Sequence, residues 1–148
     1  MTLAGARVID LFAGSGAVGL EALSRGARHA LLVEHDAKAV RAIRANIATL
    51  GVAGARVIGA KVSTVLTAGN QEPGYDLVFA DPPYDVGEEE IALMLALLSG
   101  GGWLADGALV VLERSSRSPE PAWVPPVTGV RGRRYGESAL WYGRAEVL

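Results

Sequence analysis

Five short apolar runs recur along the chain, and each predicts a buried strand. They cover residues 6–12, 29–34, 55–59, 75–80 and 107–113. Helical segments are predicted between them, at 17–23, after Asp36, at 62–68 and at 91–98, the last opened by three glutamates at 88–90. Alternation of strand and helix predicts an α/β fold, a mostly parallel sheet with helices on both faces.

The helix after the second strand has the clearest boundaries. Asp36 is a favourable N-cap residue, and Gly51 supplies a stop signal. Between them, the helical spacing of apolar residues predicts one buried stripe, at Val40, Ile43, Ile47 and Leu50.

The last third of the chain has a different pattern. Residues 115–126 are rich in Ser and Pro and predict a loop, and residues 127–135 and 139–144 predict two strands joined around 136–138. This hairpin would add an antiparallel pair at one edge of the sheet. The length of 148 residues predicts a single domain spanning 1–148.

Composition narrows the classes of protein. No apolar run approaches the ~18 residues of a membrane span, and the chain has no cysteine and only two histidines. We therefore expect a cytoplasmic protein without a membrane segment or a metal site. Charge is uneven: residues 62–112 carry eight acids and no base, whereas residues 113–148 carry six Arg and no Lys. Arginine suits phosphate and base stacking.

A glycine-rich turn follows the first strand. Residues 14–19 match G-x-G-x-x-G and open a helix, which is typical of a nucleotide-like ligand. Glu34 ends the second strand 20 residues beyond Gly14, where its carboxylate could accept hydrogen bonds from ribose hydroxyls. A dinucleotide and S-adenosylmethionine are both candidates. Asp10 favours the second, because it would repel a pyrophosphate and attract an amino group and a sulfonium. It could instead cap the following turn.

The most informative stretch is Asp81-Pro82-Pro83-Tyr84, after the fourth strand. Open parallel sheets bind ligands at the carboxyl ends of their strands. An exocyclic amine on a base is a poor nucleophile, because its lone pair is delocalised into the ring. The Asp81 carboxylate and the Pro82 carbonyl could accept its N–H groups and localise that lone pair. Two prolines would hold these acceptors rigidly, and Tyr84 offers a face for an unstacked base.

Three segments carry a family resemblance: 10–22 (DLFAGSGAVGLEA), 33–36 (VEHD) and 78–84 (VFADPPY). The chain resembles class I S-adenosylmethionine-dependent methyltransferases with an (N/D)PPY motif. Over nearly its whole length it is similar to the bacterial RsmD family, which methylates a guanine N2 in 16S ribosomal RNA. The resemblance implies a Rossmann-like, seven-stranded sheet of order 3-2-1-4-5-7-6.

The same resemblance implies roles for particular residues. Asp81, Pro82, Pro83 and Tyr84 would be catalytic. S-adenosylmethionine, released as S-adenosylhomocysteine, would be lined by Asp10, Phe12, Ala13, Gly14, Ser15, Gly16, Glu34, His35, Ala60 and Lys61. RNA would contact Arg131, Arg133, Arg134 and Tyr135, around an R-x-Y-G segment. The partner would be 16S rRNA or the small ribosomal subunit, and the enzyme would be a monomer.

Two departures from the family change the expectation. Relatives often carry an acid after the third strand that holds the adenine amine, but residues 59–62 read Gly-Ala-Lys-Val. Relatives also have a leading segment used in RNA recognition, whereas this chain starts five residues before its first predicted strand. We therefore expect weak cofactor binding and poor RNA methylation.

Other functions remain open from the sequence. A DNA adenine-N6 or protein glutamine N-methyltransferase would use the same amine chemistry. A nicotinamide-dependent oxidoreductase would fit the glycine pattern alone. A cofactor-binding module with little activity would fit a chain without the leading segment.

Overall fold

The computed structural model describes residues 3–146, which form one seven-stranded sheet and four helices. In chain order the elements are β1 (Arg7–Leu11), α1 (Ala17–Ser24), β2 (His29–Glu34), α2 (Ala37–Leu50), β3 (Ala55–Gly59), α3 (Val62–Ala68), β4 (Tyr75–Ala80), α4 (Glu88–Gly100), β5 (Leu104–Ser115), β6 (Val127–Tyr135) and β7 (Ser138–Ala145). No helix in this part of the chain is long and apolar enough to cross a membrane.

The strand order is β3-β2-β1-β4-β5-β7-β6, which confirms the prediction. Strands β1 to β5 are parallel, and β7 runs antiparallel to both β5 and β6. Strand β6 is therefore an outer edge of the sheet.

Helices cover both faces of the sheet. Successive side chains of a strand point to opposite faces, so an apolar strand contributes to a core on each side. In β1, Val8 belongs to a core with Leu20 of α1 and Ile43 of α2. The next residue, Ile9, belongs to the other core, with residues of α3 and α4 such as Leu66 and Leu98. The nearly continuous apolar sequence of β1 is thus explained by burial on both faces.

The parallel register brings the carboxyl ends of four strands to one edge. Leu11 pairs with Val33 on one side and Ala80 on the other, and Ala80 pairs with Leu112. The segments that follow β1, β2, β4 and β5 therefore emerge side by side, where open α/β sheets bind ligands.

The boundaries of α2 are close to those predicted. Asp36 accepts a hydrogen bond from Ala39 N at 2.9 Å, and Gly51 ends the helix with φ +65°. The predicted buried stripe is only partly correct. Val40 and Ile43 are buried, but Leu50, the last residue of α2, is 56% exposed.

Strand β5 is longer than predicted. It begins at Leu104, paired with Tyr75, and its register with β4 shifts before Leu77. Gly107, where the sequence pattern placed the start, has φ +79° and lies inside this irregular stretch. β1 is shorter than predicted and ends at Leu11, because Phe12 leaves the extended region with φ +61°.

Truncation of a core leucine should be far more costly than truncation of an exposed one. Leu98 on α4 is 1% exposed, and Leu98→Ala is expected to lower the free energy of unfolding by about 2–5 kcal/mol through lost burial and a cavity. Leu50→Ala, on the exposed end of α2, is expected to change it by less than ~0.5 kcal/mol. Urea unfolding followed by circular dichroism measures both. Equal losses would contradict this description of the core.

Candidate active site

The turn after β1 has an unusual backbone. Phe12, Gly14 and Gly16 all have positive φ, at +61°, +57° and +82°. A side chain on Gly16 would also approach Leu32 to 3.0 Å. Phe12 is the one non-glycine residue with positive φ among residues 3–146, a conformation that costs on the order of 1–3 kcal/mol and clusters at functional sites.

The Glu34 carboxylate is fixed by hydrogen bonds from two backbone N–H groups. Its Oε1 accepts a hydrogen bond from Gly14 N at 2.9 Å, and its Oε2 accepts one from Asp36 N at 2.9 Å. The side chain is 11% exposed. Each carboxylate oxygen can accept a second hydrogen bond, so Glu34 is both fixed in position and able to receive hydroxyl donors.

Asp10 lies beneath the glycine turn. It is 2% exposed, and its Oδ2 accepts a hydrogen bond from Gly19 N at 3.0 Å. Burial raises the pKa of Asp10 to about 7, the Gly19 hydrogen bond opposes that rise, and the charges of Asp81 and Glu34 add to it. Asp10 was expected either to attract a cationic ligand or to cap the following turn. The structure shows the second kind of contact, the hydrogen bond with Gly19 N.

The Asp81 stretch leaves β4 as a short loop. Pro82 is buried, whereas Tyr84 is 78% exposed. The carbonyl of Pro83 accepts a hydrogen bond from Val86 N at 3.1 Å. Among residues 3–146, no hydrogen bond uses the Pro82 carbonyl. Burial raises the pKa of Asp81.

A cavity of about 410 Å³ joins these elements. Its wall includes eight predicted site residues: Phe12, Gly14, Glu34, His35, Asp81, Pro82, Pro83 and Tyr84. The glycine turn and the Asp81 stretch, 67 positions apart from Gly14 to Asp81, therefore face one space. Three further residues line it that the sequence did not single out as site residues, namely Val33, Val62 and Glu113.

A second, more apolar cavity of about 470 Å³ adjoins the first. The two share Phe12, His35, Val62 and Pro83 in their walls. The apolar character of the second comes from α4, which contributes Ile91, Leu93, Met94 and Leu97. Together they form one groove with an acidic part and an apolar part.

Six of the predicted cofactor residues do not line the acidic cavity. Lys61 lines the apolar cavity, and Ala60 lines a separate one at the other side of α3. The remaining four are not in either wall of the groove: Asp10, Ala13, Ser15 and Gly16. That these four residues hold a cofactor stays a prediction. Gly16 shapes the turn through its positive φ, and Asp10 through its hydrogen bond with Gly19 N.

Arg114 fixes the far end of the Asp81 loop. Its side chain is 7% exposed, and its Nη2 donates to the carbonyl of Val86 at 3.1 Å and to Glu88 Oε1 at 2.7 Å. The loop is thus clamped between the start of α4 and the end of β5. Sequence reasoning gave Arg114 no role, because the contact depends on sheet pairing rather than on spacing.

The four predicted RNA-binding residues lie on β6 and are exposed, but they do not share one face. Arg131, Arg133 and Tyr135 occupy every second position, so their side chains lie on one side of the strand. Arg134 points to the other side, where its guanidinium lies 5.2 Å from the centre of the Trp141 ring and its Nε donates to Ser116 O at 3.0 Å.

The fold is that of class I S-adenosylmethionine-dependent methyltransferases. The particular family is given by sequence: the profile described as "Conserved hypothetical protein 95" matches residues 1–144, so the chain belongs to that family. The predicted resemblance to the RsmD family is thereby confirmed.

Individual relatives agree with this assignment. Ribosomal RNA small subunit methyltransferase D of Escherichia coli is 42% identical over 108 residues, covering 73% of this chain and 52% of that protein. "Putative rRNA methyltransferase YlbH" of Bacillus subtilis is 34% identical over 134 residues, covering 89% of this chain and 72% of the relative. The solved structure of "Putative methyltransferase yhhF" from Escherichia coli superposes with a TM-score of 0.87 at 35% identity, over 99% of this chain and 80% of that one. The chain thus spans between about half and three quarters of its curated relatives' length.

The Asp10 pKa predicts a pH dependence of stability. The folded protein keeps the Asp10 proton up to about pH 7, whereas the unfolded chain loses it near the ordinary pKa of 3.8. Between these values the folded state binds more protons, so stability falls as pH rises. From pH 5 to pH 8 the Asp10 contribution should fall by about 2–3 kcal/mol.

Urea unfolding of the wild type and Asp10→Asn at pH 5 and pH 8 measures this contribution. The decline with pH should be smaller in Asp10→Asn by that amount. Asp85→Asn, which changes an exposed acid, should leave the wild-type decline intact. Identical pH profiles for Asp10→Asn and the wild type would contradict the raised pKa.

Proposed function

We propose that this chain transfers a methyl group from S-adenosylmethionine to the exocyclic N2 amine of a guanine in 16S ribosomal RNA of the small subunit. One observation carries the proposal: the Asp81 carboxylate and the Pro82 stretch face the same cavity as Glu34 and the glycine turn. The named activities of the relatives support it. We further infer that it acts without a metal, as a monomer in the cytoplasm.

The residues present suit the cofactor. Glu34 is fixed by two backbone donors and keeps acceptor capacity for the two ribose hydroxyls. The apolar part of the groove, with Val62 and Ile91, suits a purine ring without a dedicated carboxylate. When bound, S-adenosylmethionine supplies an electrophilic methyl group on a sulfonium. The carboxylates of Glu34, Asp81 and Glu113 line this cavity and create a negative potential that favours such a cation.

The Asp81 loop would prepare the accepting amine. Asp81 accepts one N–H of the amine and the Pro82 carbonyl accepts the other, which favours a pyramidal nitrogen with its lone pair directed at the methyl group. Methyl transfer would replace one N–H bond of the amine by an N–C bond, so the amine would lose one proton. Asp81 would receive that proton, because partial burial raises its pKa and makes it a better base. Tyr84, 78% exposed, is free to stack on the base.

Strand β6 would supply the residues that contact the RNA phosphates. The groove itself is acidic, so phosphate contacts must come from outside it. Arg131 and Arg133 lie on the same side of β6 as Tyr135. Leu140 of β7 pairs with both Arg133 and Glu113, so this side of β6 is the side of the sheet that carries Glu113, a residue in the cavity wall.

The catalytic role is tested by Asp81→Asn and Asp81→Ala. Both should reduce transfer of tritiated methyl groups to ribosomal RNA by ~10²–10⁴-fold, since a proton acceptor and an oriented acceptor are lost. Calorimetry should show unchanged affinity for S-adenosylhomocysteine and no binding of NADH. The expected weak cofactor affinity is measured in the same titration.

Glu89→Gln is the matched control for the Asp81 variants. It alters an exposed acid in the first turn of α4 that lines neither cavity, and it should keep wild-type activity. Full activity of Asp81→Ala would overturn the assigned role, and preferential binding of NADH would overturn the function.

The RNA surface is tested by the salt dependence of binding. For Arg131→Ala/Arg133→Ala, the slope of log affinity against log salt should fall by about 0.7–0.9 per lost phosphate contact. Filter binding of 16S rRNA between 50 and ~300 mM KCl suits the measurement. Arg25→Ala, which removes an exposed arginine directly after α1, should keep the wild-type slope. An unchanged slope in the double variant would place the phosphate contacts elsewhere.

A further inference from the structure

Glu113 is a second carboxylate beside Asp81 for which the proposed mechanism has no direct chemical use. Ala80 and Leu112 are paired across β4 and β5, so the residues that follow them are neighbours, Asp81 directly after the end of β4 and Glu113 within β5. Adjacent strands are about 4.8 Å apart. Both side chains line the 410 Å³ cavity.

The surroundings of Glu113 keep it directed toward the groove. It is half-buried at the end of β5, opposite Leu140 of β7. Burial and the charge of Asp81 raise its pKa, and hydrogen bonding with Ser138 opposes the rise. With Glu34, three carboxylates thus line one cavity whose described wall has no basic side chain other than the imidazole of His35. Asp81 and Glu113 therefore offer a bound ligand two neighbouring groups of hydrogen-bond acceptors.

The edges of the bases differ in what they offer to two adjacent acceptors. Guanine presents two neighbouring donors, N1–H and the N2 amine. Adenine and cytosine present an amine beside a ring nitrogen that is an acceptor. A carboxylate facing that ring nitrogen would be left unsatisfied, and a buried acceptor without a donor is destabilising. A pair of carboxylates therefore discriminates by hydrogen-bond polarity rather than by shape.

We propose that Glu113 selects guanine by accepting the hydrogen bond from N1–H, while Asp81 accepts an N–H of the adjacent amine. The inference rests on the proposed function, since it assigns the edge of the substrate read at the same site. It excludes adenine and cytosine amines and makes Glu113 a specificity-determining residue.

The test uses 2-aminopurine, which keeps the 2-amino group but carries an acceptor at N1. The wild-type protein first methylates ribosomal RNA, and mass spectrometry of nucleosides and fragments identifies the product and its position. The same RNA is then assembled by ligation with 2-aminopurine at that position. For the wild type, kcat/KM should be lower with 2-aminopurine than with guanine by ~10²-fold or more.

Glu113→Gln should remove this discrimination. Its amide can donate to the N1 acceptor of 2-aminopurine or accept from N1–H of guanine, so the two kcat/KM values should come within about tenfold. Glu137→Gln is the matched control, because Glu137 is exposed in the β6–β7 turn. It should keep the wild-type ratio. Affinity for S-adenosylhomocysteine should be the same in all three proteins.

Each outcome has a definite reading. Absence of N2-methylguanosine from the wild-type product would overturn the proposed function itself. Formation of that nucleoside with an unchanged ratio in Glu113→Gln, or equal use of both bases by the wild type, would overturn the role of Glu113 alone. If Glu113→Gln fails to fold, Glu113→Asp keeps a carboxylate and should retain the preference for guanine at a lower rate; loss of the preference there would contradict the inference.

Discussion

The hydrogen bonds from Gly14 N and Asp36 N to the Glu34 carboxylate are the constraint on which the groove depends. They join the turn after β1 to the start of α2 through one side chain at the end of β2. Positive φ at Gly14 turns its N–H toward Glu34. Because the three segments share this anchor, the shape of the turn, the entry to α2 and the position of the carboxylate are determined together. A ligand that uses Glu34 therefore meets a site already organised by the fold.

The other half of the groove is arranged differently. Asp81 and Tyr84 are exposed, while the loop that carries them is anchored to the rest of the protein on its buried side. Pro82 is buried, the Pro83 carbonyl binds Val86 N, and Arg114 clamps both Val86 and Glu88. Rigid backbone thus presents its functional groups to solvent, which suits a large substrate that approaches from outside. Glu34, at the end of the buried strand β2, lies deeper, with its side chain 11% exposed. This division follows from the parallel sheet, whose carboxyl ends form the floor of both halves.

The sequence predicted those features of the site that depend on spacing along one segment. The strand ends at Glu34 and Asp81 follow from apolar runs, and parallel topology then brings them to one edge. Glu113 was missed as a site residue because a terminal acid of a strand resembles any surface acid until β4 and β5 are paired. The direction of the Asp10 side chain depends on the position of Gly19, nine residues away. Leu50 is exposed at the last residue of α2 although its helical periodicity is correct, and Arg134 is separated from Arg133 by the alternation of strand side chains.

Strand β6 has a further consequence as the outer edge of the sheet. After Val127 every residue of it is exposed, and the register with β7 is irregular between Gly129 and Arg131. An unpaired edge can join the sheet of another copy, and positive charges and irregular pairing discourage this. The arginines of β6 therefore also act against self-association. A variant without them would acquire an uncharged edge, and its solubility would change together with its affinity for a polyanion.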